Sequence, residues 1–102
     1  MTKDMTAGLK PMHPGEFLRE DILPNVRMTK TDIAKALGIS RAQLYAILDE
    51  KATVTAPIAL RLGKFFGNGP ELWLNMQNNF DIAVLRPKLA KALDRIPLAP
   101  AA

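Results

Sequence analysis

Ser40, Arg41, Ala42 and Gln43 in succession, with Tyr45 two places on, are the side chains of this 102-residue sequence best suited to recognition chemistry. A guanidinium such as that of Arg41 can donate two parallel hydrogen bonds to guanine O6 and N7. A carboxamide such as that of Gln43 can pair with adenine or a phosphate, and the methyl of Ala42 can touch that of thymine. The chemistry on offer is hydrogen bonding to base edges. Catalysis has little to work with, because the sequence holds one histidine, His13, no cysteine and no glycine-rich phosphate loop. A lone histidine before Pro14 suits a helix start better than a general base or a metal ligand, each of which needs partners. No enzymatic activity, metal or cofactor is expected.

The elements around these residues must hold them outward. Thr29 can cap the amides of a helix starting near Lys30, and Asp32 three positions on completes a capping-box pattern. Ile33, Ala34 and Leu37 fall on one face of that helix, and the small Ala34 admits a close neighbour. Gly38 sits where a left-handed residue ends a helix, with Ile39 as the apolar contact beyond it. Ser40 then caps a second helix that buries Leu44, Ile47 and Leu48 and leaves Arg41, Ala42, Gln43 and Tyr45 pointing away. This is the build of a helix-turn-helix whose second helix enters the major groove. Its first turn also aims free amides at a phosphate beside Ser40. The same spacing would serve two packed helices with a solvated polar face.

Charge favours the DNA reading modestly. Residues 28–66 carry six basic and three acidic side chains, a surplus of three, against four and four in 1–27 and four and three in 67–102. Lys30, Lys35, Lys51, Arg61 and Lys64 could supply phosphate contacts, which position a protein without reading sequence. Asp49 and Glu50 place acid beside the same face. With 48% apolar residues and no break in composition, the expectation is one domain over 1–102, its ends (1–10 and 97–102) frayed. The polar amino terminus gives no sign of a signal peptide or membrane span, and the lack of cysteine leaves a cytoplasmic location as the default.

Helix signals account for the remaining residues, and no stretch alternates as a strand, so the class is all-α. Pro14 opens a first helix that Pro24 ends; Thr55 can cap Ala56–Phe66, stopped by Gly67; Pro70 opens a longer helix. After Pro87 a separate short helix is expected, presenting Leu89, Leu93 and Ile96. Leu72, Trp73, Leu74, Met76, Phe80, Ile82, Val84 and Leu85 are more apolar surface than one small core needs. A homodimer through helices at about 70–96, using Leu72, Trp73, Met76, Phe80, Leu89 and Leu93, would cover it. A dimer would also set two reading helices about 34 Å apart in successive major grooves. Trp73 taken alone reads as core.

Three segments, HPGEFL at 13–18, TDIAKALGISRAQL at 31–44 and PELWLNMQ at 70–77, resemble the HigA-type antitoxins, or VapI group, of the Cro/C1 (XRE) helix-turn-helix superfamily. The resemblance covers residues 12 to about 80. It implies a five-helix lambda-repressor-like domain, here with an additional short C-terminal helix, that dimerises and represses its own operon. It also implies neutralisation of a RelE-like toxin that cleaves messenger RNA. Matched by position, it puts operator DNA contacts at Lys30, Ser40, Arg41, Ala42, Gln43 and Tyr45, with Lys51 in the following loop. The sequence departs from the pattern there, since Asp49 and Glu50 stand where the family has Asn and Gly, and Glu50 is expected to adopt a left-handed conformation at some cost. Most antitoxin tails fold on binding, but the Pro and Ala tail here is short, so Glu16, Glu20 and Asp21 on the first helix are the expected toxin surface. A stand-alone repressor without a toxin shares every one of these features, and a purely protein-binding adaptor would lack salt-dependent DNA affinity.

Overall fold

Proline and glycine set most of the element boundaries. A computed structural model describes residues 10–101 as five helices: α1 (Pro14–Phe17), α2 (Lys30–Leu37), α3 (Arg41–Leu48), α4 (Ala56–Phe66) and α5 (Pro70–Asp94). No strand occurs among the described residues. Most of the expected fraying at 1–10 lies outside them, while 97–101 has no regular structure and is exposed.

Pro14 occupies the first turn of α1, where its missing N–H costs nothing, and His13 is the N-cap. Its Nδ1 accepts a 2.8 Å hydrogen bond from the Gly15 amide. The helix then widens into a π-helical turn, Leu18–Ile22, and tightens into a 3-10 turn, Leu23–Asn25, because Pro24 cannot donate to the ladder. Gly38 ends α2 at φ 76°, with Ile39 N donating to the Ala34 carbonyl at 3.0 Å, the expected left-handed stop. Thr55 takes the N-cap backbone of α4, but its hydroxyl makes no capping bond.

The core forms where all five helices turn their apolar faces inward: Leu18 of the π-helical turn, Ile33, Ala34 and Leu37, Leu44, Ile47 and Leu48, Ala59 and Leu62, and Trp73 are buried. Trp73 corrects the dimer reading, since at 0% exposure it has no surface for a partner. Its indole N–H donates to Asn68 Oδ1 at 2.8 Å, and its ring meets Phe17 edge-on. Phe80, half-buried, stacks edge-on against His13 at 4.9 Å. The separate last helix expected after Pro87 does not form, because α5 runs through that residue to Asp94. Proline removes one ladder bond, here to the carbonyl of the half-buried Ala83, and the helix continues through residues 85–94, which are exposed.

Gly15 lets α1 meet α3 backbone to backbone, and a Cβ at that position would overlap the Ile47 carbonyl oxygen. Overpacking a tight contact destabilises by about 1–3 kcal/mol. Gly15→Ala is therefore expected to lower stability by about 2 kcal/mol or more, a fall in Tm on the order of 10 °C for a domain this size; thermal melts followed by circular dichroism read it.

His13 supplies a pH dependence. Burial holds its pKa below the ordinary 6.5, against the opposing pull of Glu50 and Asp81. The unfolded chain then takes up the proton first as pH falls, so the stabilisation is complete above about pH 6.5 and declines below it. Protonation would also remove the acceptor that caps Gly15. The fall in Tm between pH 7 and pH 5.5 is expected to be larger for the native sequence than for His13→Asn, which keeps a capping side chain without the titration; parallel falls would refute the assignment.

Candidate nucleic-acid interface

α3 begins with a full capping box. Ser40 Oγ accepts from the Gln43 amide at 3.0 Å, and Gln43 Oε1 accepts from the Ser40 amide at 3.1 Å. The sequence reading assigned the box pattern to Thr29 and Asp32 instead. In the structure Thr29 Oγ1 does accept from the Asp32 amide at 3.1 Å, but the reciprocal box is formed at Ser40 and Gln43. Gln43 thus serves twice: its oxygen closes the helix start, and its amide hydrogens stay available to an acceptor such as guanine N7, thymine O4 or a phosphate. Two-pronged pairing with adenine would use the second lone pair of that oxygen alongside the Ser40 amide.

Ser40, Arg41, Ala42, Gln43 and Tyr45 are all exposed around the first turn of α3, while Leu44, Ile47 and Leu48 are buried. The structure brings together the outward group that periodicity selected. Arg41 Nη1 lies 3.3 Å from Thr31 Oγ1, so the guanidinium leans across the gap between α2 and α3. Lys30, at the first position of α2, and Lys51, in the loop after α3, are exposed at opposite ends of this face, as are Lys35 and Lys64 elsewhere. Arg61 is used differently from expectation. It donates from Nη1 to the Leu37 carbonyl at 2.8 Å and the Gly38 carbonyl at 3.4 Å, closing the end of α2.

Three residues that position α3 carried no signal in the periodic pattern. Gly15 sets its depth against α1. Arg19 donates from Nη1 to the Leu48 carbonyl at the end of α3. Gln77, buried on α5, accepts from the Val54 amide at 2.8 Å and donates to Asp81 Oδ1 at 2.9 Å, so the loop that follows α3 is pinned to the far helix. A buried glutamine on an apolar face looks like an error to amphipathic reasoning, and only the loop amide it satisfies explains it. Glu50 adopts φ 61°, the left-handed conformation expected of it. No group of three or more His, Cys, Asp or Glu that could hold a metal occurs among the described residues, and no helix there is long and apolar enough to cross a membrane.

No family model matches the chain. Virulence-associated protein I of Dichelobacter nodosus is 41% identical over 71 residues, covering 70% of this chain and 66% of that protein. Antitoxin HigA-1 of Vibrio cholerae is 33% identical over 73 residues, covering 72% and 69%. The chain thus spans about two thirds of either relative's length. Among solved structures, an addiction module antidote protein of a HigA family from Coxiella burnetii superposes with a TM-score of 0.78 at 39% identity, covering 91% of this chain and all of that one. Antitoxin GraA in complex with its operator superposes with a TM-score of 0.82 at 33% identity, covering 92% and 96%.

Proposed function

The chain belongs to the HigA family of helix-turn-helix antitoxins, and from that premise we propose that it binds its own operator as a dimer, represses its operon and neutralises a RelE-like toxin that cleaves messenger RNA. The observation that carries the DNA half is the exposed first turn of α3, where Arg41, Ala42 and Gln43 stand clear of the core behind a Ser40 cap. A helix start so presented offers a donor fork, amide hydrogens and a partial positive charge to the major groove and its phosphates. Lys30 and Lys51 supply sequence-independent contacts at either end. The GraA and operator complex supports this use of the fold. We read it as a DNA-binding protein of the cytoplasm rather than an enzyme.

The dimer reading rests on α5. Beyond the protomer core, Ile82, Leu85, Leu89, Leu93 and Ile96 are 45–66% exposed at three- and four-residue steps, one apolar stripe along a helix that already projects from the domain. A second copy packed along that stripe would bury it. For the toxin, the reading rests on Glu16, Glu20 and Asp21, of which Glu20 and Asp21 are exposed on the outer side of the π-helical turn. An acidic face suits a basic RNA-cleaving partner and would act on association rate as well as on affinity.

A gel-shift titration on the DNA upstream of the gene, at two salt concentrations, tests the DNA half. Binding is expected to be stronger than to random duplex, to weaken with salt and to involve two protomers per site. Arg41→Ala is expected to cost about 1–3 kcal/mol, on the order of ten- to a hundredfold in affinity; equal affinity for random DNA would refute the reading. Charge reversal of Glu16, Glu20 and Asp21 to Lys is expected to abolish co-purification with the toxin encoded beside the gene. Intact binding by that triple variant would move the toxin surface elsewhere.

A further inference from the structure

Glu50 sets an electrostatic problem that the fold answers. It stands two residues past α3 and just before Lys51, in a left-handed conformation at φ 61° that a residue with a Cβ adopts under strain. With Asp49 it adds two carboxylates at the end of the face that has to meet phosphate. The Glu50 carboxylate is drawn toward α1. Its Oε2 lies 3.4 Å from both Nη1 and Nη2 of Arg19, and its charge also acts on His13 at the start of α1. The Arg19 guanidinium is itself set in place, with Nε donating to Glu20 Oε2 at 2.8 Å and Nη1 to the Leu48 carbonyl.

With side-chain exposures of 39% and 32%, the Arg19–Glu50 pair is worth little to stability. Its consequence is where the charge sits. We propose that Arg19 is a positioning residue for DNA binding, which neutralises Glu50 and holds its carboxylate on the α1 side so that Lys51 can engage the phosphate backbone. The proposal rests on the DNA-binding reading above. It accounts for an acidic side chain at a left-handed position next to Lys51, whose charge is taken up inside the protomer. Arg19 reaches it from 31 residues upstream. Without the guanidinium, the carboxylate is free to lie beside Lys51, within a Debye length of the phosphates, and cancels about one cation of the electrostatic footprint.

The test uses the full chain and fluorescence anisotropy on an operator duplex and a random duplex at two salt concentrations. The variants are Arg19→Gln, which keeps a donor for the Leu48 carbonyl but lacks the charge, Glu50→Gln, and the two together. Arg19→Gln is expected to weaken binding to both duplexes about five- to tenfold and to reduce the logarithmic salt slope by about one. Glu50→Gln alone is expected to match the native protein, and the double variant to recover native affinity. Native affinity in Arg19→Gln would overturn the proposal. So would a loss that Glu50→Gln does not restore, because Arg19 would then act on DNA directly or through the fold. A native protein that does not distinguish operator from random duplex would instead refute the underlying reading, and is read out before any variant is compared.

Discussion

The rear of α3, the helix proposed to read DNA, is held at backbone distance by α1, and the seating of that helix depends on this contact. Gly15 meets the Ile47 carbonyl with no room for a side chain. A helix approached so closely cannot shift along its axis without losing core contacts, because packed interiors resist displacement. The neighbouring residues of α1 are committed to the same contact. His13 caps the turn and packs against Phe80, Pro14 starts it, and Leu18 is buried behind it. The segment HPGEFL is therefore a device for seating α3, which its composition does not reveal.

Two further ties fix the ends of what α1 seats in the middle. Arg19 holds the last carbonyls of α3, and Gln77 takes the Val54 amide of the loop beyond. Both ties satisfy backbone groups that a helix end or an irregular loop leaves open, where an unmet buried group costs about 1–3 kcal/mol. Arg61 does the same for α2. Arg19, Gln77 and Arg61 thus close backbone groups around α2 and α3, while at the start of α3 Ser40 and Gln43 cap each other and leave the Gln43 amide hydrogens free.

α5 joins two different environments in one helix. Its first half contributes Trp73 and Gln77 to the interior, and its second half, past Pro87, is exposed among the described residues. Helices depend on tertiary packing for most of their stability, and the dimer proposed above would supply that packing to the exposed final stretch.

The local features of the domain were legible in the sequence because they depend on neighbours in the chain. Gly38 and Gly67 as left-handed stops, Pro14 and Pro70 as openings, Ser40 as a cap, and the split of α3 into a buried and an outward face all follow from helix geometry over a few residues. The strained Glu50 was legible too, from the loss of a glycine. The segments HPGEFL, TDIAKALGISRAQL and PELWLNMQ pointed to the HigA family without showing what holds them together. What required tertiary structure was every contact between residues distant in the chain. Gly15 against Ile47, Arg19 with Leu48 and Glu50, Gln77 with Val54 and Arg61 with Leu37 join elements more than 20 residues apart. Trp73 was moved from interface to core, and Pro87 from a break to an interior position, for the same reason. Periodicity reports that a face is apolar or polar, but not which surface covers it, and that is settled only when the helices pack.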